Sequence, residues 1–132
     1  MNSTIEQMYQ EIGQAAVSVV EGMVGKLLVY SEVEEGVISS DMFYVNQDDD
    51  VVRLRFSPKP LQMLIYSFWE RWKEQPGNHE WRTMSYVIDG GKFSIDLTYP
   101  DQIDPSGDIA TRRPSVIKKH FGDRTVDYSE PN

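Results

Sequence analysis

The chain has 132 residues, 39% of them hydrophobic and 11% aromatic, which suits one domain whose core needs no metal or disulfide. It contains no cysteine, so disulfides, thiolate zinc sites and cysteine nucleophiles are excluded, and a reducing cytoplasm is the expected compartment. Thirteen Lys and Arg against 21 Asp and Glu give a formal charge of -8, which disfavours direct contact with nucleic acid or an anionic membrane and favours a basic partner.

The opening MNSTIEQMYQEIGQ lacks the basic-then-apolar pattern of a secretory signal, and no run reaches the roughly 20 apolar residues of a membrane span. Ser3 and Glu6 have capping-box spacing, and Ile5, Met8, Tyr9, Ile12, Ala16, Val19, Val20 and Met23 follow at helical intervals. The spacing predicts an amphipathic first helix ending near Gly22 and Gly25. From Lys26 the period changes. KLLVYSEV and VISSDMFYVNQ, separated around Glu34-Glu35-Gly36, read as a hairpin rich in β-branched and aromatic residues. Asp48-Asp49-Asp50 is a polar turn, and Val52, Leu54 and Phe56 alternate with arginines in a third strand.

Ser57-Pro58-Lys59-Pro60 breaks that strand and opens a second helix, because a first turn loses nothing when proline lacks its N–H. Leu61, Leu64, Ile65, Phe68 and Trp72 form its stripe, and Gln75-Pro76-Gly77 stops it. Residues Trp81 to Asp101 read as a two-stranded ribbon turning at Asp89-Gly90-Gly91. In its second strand Phe93, Ile95, Leu97 and Tyr99 are the expected buried face, and Lys92, Ser94, Asp96 and Thr98 the face for solvent or a partner. Pro114 is placed to start a short helix ended by Gly122, and the tail from about residue 123 reads as loosely ordered. The expected fold is a single α+β domain spanning residues 1–132. Its antiparallel sheet has about four to five strands, packed on one side by two long helices, with a short C-terminal helix.

His79 and His120 stand in no recognised catalytic spacing, Asp48-Asp49-Asp50 lacks the register of a calcium loop, and Gly90-Gly91 lies in a hairpin rather than a phosphate-binding turn. No catalytic, cofactor-binding or metal-ligating residue is therefore predicted. The aromatics Tyr30, Tyr44, Trp69, Trp81 and Tyr86 serve either packing or recognition, with Trp69 set beside the main helical stripe. Carboxylates at Glu32, Glu34, Glu35, Asp41, Asp96, Asp101, Asp104 and Asp108 fall on outer strand faces or loops. With helices on one side of the sheet, the other side would be a negative surface suited to a cationic protein.

The sequence also resembles the YezG-like family of bacterial immunity proteins. The resemblance runs from the IEQMYQEIGQ helix through LLVYSEV and a strand ending in Phe43-Tyr44, to Trp81 and DGGKFSIDLTYPD. It closes on Arg112-Arg113 and a helix ending His120-Phe121-Gly122. Its sharpest piece is Gly91, Lys92, Phe93, Ile95, Asp96 and Tyr99. The resemblance implies a cytoplasmic, non-enzymatic antitoxin that binds the C-terminal domain of one cognate secreted toxin, often a nuclease, without touching nucleic acid or membrane itself. The expected toxin contacts are Glu32, Glu34, Asp48, Asp49, Asp50, Asp96, Asp101 and Asp104, with Tyr44 or Trp81 as aromatic anchor. The rival reading is a module binding a small molecule or peptide in an apolar pocket between sheet and helices.

Overall fold

A computed structural model describes residues 5–20, 24–46, 51–103, 107 and 109–127. Ser3, Met23, Asp48, Asp49, Asp50, Asp104 and Asp108 lie outside the described residues. In chain order the elements are α1 (Ile5–Val20), β1 (Val24–Glu34), β2 (Val37–Asn46), β3 (Val52–Phe56), α2 (Lys59–Glu74), β4 (Thr83–Asp89), β5 (Lys92–Thr98), a single 3-10 turn (Pro100–Gln102), α3 (Ile109–Phe121) and β6 (Val126–Asp127). The fold is α+β, with six strands in one sheet in the order β5-β4-β1-β2-β3-β6. None of the described helices is long and apolar enough to cross a membrane.

The sheet is mixed rather than antiparallel. β6 pairs with β3 in parallel, Val52 opposite Val126 and Arg53 opposite Asp127, so part of the tail expected to be loose is an edge strand. The four- to five-strand expectation fell short because two residues of strand carry no period to recognise.

Helices cover both faces. On one face, Ile12 and Ala16 of α1 and Leu61, Ile65, Phe68 and Trp69 of α2 bury Leu27, Val29, Met42, Met84 and Tyr86 of the sheet. On the other, Ile117 and Phe121 of α3 bury Leu28, Tyr30, Phe43, Val45, Val52 and Leu54. Adjacent residues of a strand point to opposite faces, so the unbroken apolar run Leu27 to Tyr30 is the mark of a strand buried on both. The face expected to be an open acidic surface is therefore largely under α3. That helix starts at Ile109, one turn ahead of expectation, and carries an exposed Pro114 within it.

The ribbon is only partly the scaffold its alternation suggested. β4 lies inside the sheet and is buried along Thr83 to Val87, whereas β5 is the sheet's edge. Phe93 is 48% exposed, stacked on Tyr86 with ring centroids 5.5 Å apart, and Ile95 and Leu97 are half-buried. Gly90 and Gly91 have φ of 61° and 81°, which makes the two-residue loop a type I′ turn matched to the sheet's twist.

Gly13 is demanded by a close approach rather than a turn. A β-carbon there would fall on the Tyr86 hydroxyl, which donates to the Tyr9 carbonyl at 2.7 Å. In an open helix Gly13→Ala would gain about 1 kcal/mol from propensity, but here the collision should reverse the sign, for a net loss of about 1–2 kcal/mol. Urea denaturation checks this. In a Tyr86→Phe background the obstructing oxygen is gone, and the same Gly13→Ala change should cost markedly less.

Candidate functional site

Antiparallel pairing gathers several turns at one end of the molecule. Glu32 on β1 lies opposite Thr83 on β4, and Thr83 lies opposite Thr98 on β5. The β1–β2 turn, residues 78–82 and the exit from β5 are thereby neighbours. α2 ends over them. Tyr66 accepts the Gly36 N–H at 2.7 Å, and Trp69 Nε1 donates to the Trp81 carbonyl at 2.8 Å.

This end is acidic. Glu34, Glu35, Glu74, Glu80 and Asp101 are all exposed, while the cations among them are half-buried and already engaged. Lys73 lies 2.9 Å from Glu35 and 3.7 Å from Glu80, with its ammonium 4.0 Å from the centre of the Trp69 ring. Its hydrogen bond to Glu35 holds its pKa above the ordinary lysine value, against the opposing pull of desolvation and with help from the charges of Glu35, Glu80 and Glu70. Arg82 lies 2.5 Å from Glu34 and 3.7 Å from Glu32. Each exposed pair is worth little by itself, but carboxylates that outnumber tied-down cations leave a net negative field.

Within this end His79, Glu80, Tyr99, Pro100, Asp101 and Gln102 line an open cleft of about 480 Å³. Its floor is fixed by the 3-10 turn: the Gln102 N–H donates to the Tyr99 carbonyl and Gln102 Oε1 accepts the Tyr99 N–H, both at 2.9 Å. Two carboxylates, an aromatic ring and a pre-set backbone suit a lysine or arginine side chain inserted from a partner.

Behind this surface lies a buried charge cluster that the sequence left unjoined. Arg112 of α3 grips Glu32 with two donors, Nε to Oε2 at 2.7 Å and Nη2 to Oε1 at 2.5 Å, while the Tyr30 hydroxyl donates to Oε2 at 2.6 Å. Burial pushes the Glu32 carboxyl upward, and the hydrogen bonds from Arg112 and Tyr30 with the charges of Arg112 and Arg82 outweigh it, leaving the group below its ordinary value. The hydrogen bond to Glu32 raises Arg112 in turn, and burial together with the Glu32 hydrogen bond raises Tyr30. Next door Arg113 lies 3.4 Å from Asp41. The adjacent arginines thus fasten α3 to the sheet.

The expected contact residues separate accordingly. Glu34 and Asp101 lie on the acidic end. Glu32, 4% exposed, and Trp81, 1% exposed, are interior and have almost no surface to offer a partner, because α3 covers the first and α2 the second. Trp69, whose place beside the main stripe of α2 made it the aromatic expected to serve recognition rather than packing, is buried too. Tyr44 is half-buried beside the core on the α1–α2 face. Asp96 is exposed near α3, with Lys119 at 3.9 Å, and belongs to the β5 edge. Glu74, His79, Glu80 and Tyr99 were missed. Their signal is topological: turn and stop residues at 34–36, 75–77 and 99–102 fall at the same end once the strands alternate in direction.

The centre of the space between the sheet and the α1–α2 layer is filled by Phe68, Trp69, Trp81, Met84 and Tyr86, and an open groove of about 430 Å³ remains at its margin, between Gly13 and Val17 of α1 and Tyr86, Ile88 and Phe93 of the β4–β5 ribbon. Among the described residues no group of three or more His, Asp or Glu side chains is placed to hold a metal ion. Compared with known protein families and with curated proteins, the sequence matches none.

Proposed function

We propose that the protein is an immunity protein that binds and neutralises a basic toxin domain, a nuclease being the partner whose charge fits best, and that it does so in the cytoplasm without chemistry of its own. The observation that carries this reading is the acidic end, where Glu80 and Asp101 line an open cleft, Glu34, Glu35 and Glu74 are exposed on the same end of the molecule, and Lys73 and Arg82 are held back by ion pairs. A nuclease must present cations to hold a phosphodiester backbone. A rigid array of carboxylates attracts the same cations and occupies their cleft. The GKF-x-ID-x-x-Y stretch and the Arg112-Arg113 pair add the resemblance to YezG-like immunity proteins.

The expected partner is the C-terminal domain of a secreted toxin encoded beside this gene. Co-expression should rescue growth, and the purified proteins should associate quickly at low salt. Combining Glu35→Lys, Glu80→Lys and Asp101→Lys should slow association by roughly 10- to 100-fold and flatten its salt dependence, with little change in melting temperature. Asp123→Lys, beyond the far end of α3, is the control and should leave the rate unchanged. An association rate untouched by the triple reversal, measured by stopped flow, refutes the proposed surface.

A further inference from the structure

The outer side of β5 is open: β5 ends the sheet order, and among the described residues no strand pairs with its far edge. The I′ turn makes Asp89 and Lys92 a hydrogen-bonded pair, so Lys92, Ser94 and Asp96 direct their backbone groups toward β4. Phe93, Ile95 and Leu97 then direct theirs outward. Exposed edges of this kind invite pairing by another strand.

The order of side chains on β5 selects its occupant. We propose that β5 pairs antiparallel with β5 of a second copy of this chain, about a two-fold axis at Ser94. In that register Lys92 stands opposite Asp96 of the second copy, and by symmetry Asp96 stands opposite its Lys92. Opposite charges directly across an antiparallel pair are the stabilising arrangement. Phe93, 48% exposed in the single chain, comes against the second copy's Ile95 on the other face. All four outward N–H and C=O groups of Phe93 and Ile95 gain partners. Ser94 faces Ser94 as a non-hydrogen-bonded pair, where the strands approach most closely and a small side chain fits.

The neighbouring register, centred on Ile95, sets Lys92 against Thr98 and Asp96 against Ser94, and so gives up both charge pairs. Asp96 is free to change partner, since its contact with Lys119 is 3.9 Å between two largely exposed side chains. Two chains of formal charge -8 repel, yet at physiological ionic strength that repulsion is screened over roughly 8 Å, whereas Lys92 and Asp96 would be in contact. The interface uses none of the carboxylates of the acidic end.

The chain has no cysteine, which makes the test direct. Sedimentation velocity from micromolar to millimolar protein should show a monomer–dimer equilibrium. Lys92→Asp or Asp96→Lys alone should weaken it roughly tenfold or more, and the two together should restore it. Under mild oxidation Ser94→Cys should form a disulfide-linked dimer faster than Ile95→Cys. A protein that stays monomeric at millimolar concentration overturns the proposal, as do faster cross-linking at Ile95 and a dimer indifferent to both charge changes. Single variants that weaken binding of a toxin domain to a monomeric protein overturn it as well, by assigning the edge to that partner.

Discussion

Arg112→Met should lower folding stability by about 3–5 kcal/mol, because it leaves the Glu32 carboxylate buried beneath α3 without its two-pronged donor. That is a large share of the roughly 5–15 kcal/mol that holds a domain of this kind together. Combining Arg112→Met with Glu32→Leu should recover much of the loss, since the uncompensated charge is then gone and methionine and leucine fill the same space. Chemical denaturation of the two single variants and the double variant gives the coupling directly. Additive effects would show that the pair is ornamental.

The same cluster sets a pH dependence. Glu32 is held below its ordinary value of 4.5 in the fold, so below that value the unfolded chain binds more protons than the native one. Its contribution is fully present above pH 4.5 and is lost as pH falls through the folded value. Glu32→Gln should therefore flatten the acid limb of the stability curve. His120 acts at higher pH. Burial, then the charges of Lys119 and Lys26, lower its pKa against a smaller opposing pull from Asp96. Stability from a neutral His120 is full above its ordinary value of 6.5 and declines as pH falls below it, so His120→Gln should flatten the curve between about pH 7 and pH 5.

Trp69→Ala should cost about 3–5 kcal/mol, the range for emptying a buried aromatic site. The indole fills the layer between α2 and the sheet, lies 5.4 Å from the Tyr66 ring, supports the Lys73 ammonium and donates to the Trp81 carbonyl. Trp69→Phe keeps most of the volume and gives up the hydrogen bond, and should cost about 1–3 kcal/mol by stranding a buried carbonyl. This variant links stability to the proposed recognition. The Trp81 carbonyl fixes the entry to β4 one residue after Glu80, so Trp69→Phe should also weaken toxin binding by loosening the cleft, measurable by calorimetry on the folded variant.

Local patterns carried the elements, and distance hid their arrangement. α2 was readable from Pro58 and Pro60, its stripe and the Gln75-Pro76-Gly77 stop, and the β4–β5 turn from its glycines. The two-sided burial of β1 was written in Leu27-Leu28-Val29-Tyr30, a run without alternation, but the cover on its second face comes from Ile117 and Phe121, near the far end of the chain. β6 pairs only two residues, too short for any periodic signal. Glu32 and Trp81 looked like surface candidates because residue type alone does not report burial, and only a partner such as Arg112 makes a buried carboxylate tolerable. At the acidic end Glu34 and Asp101 were legible as loop acids. That Glu80 and Tyr99 join them depends on strand direction, which the sequence does not spell out.

The Glu32–Arg112 grip also orders events as the chain is synthesised. Glu32 lies in β1, among the first strands to emerge, and its guanidinium partner follows 80 residues later. Until α3 arrives, the central sheet carries a charge that cannot be sealed inside. A nascent or truncated chain ending before residue 112 therefore keeps this part of β1 open to water and to proteases, and the domain closes only once α3 has been made.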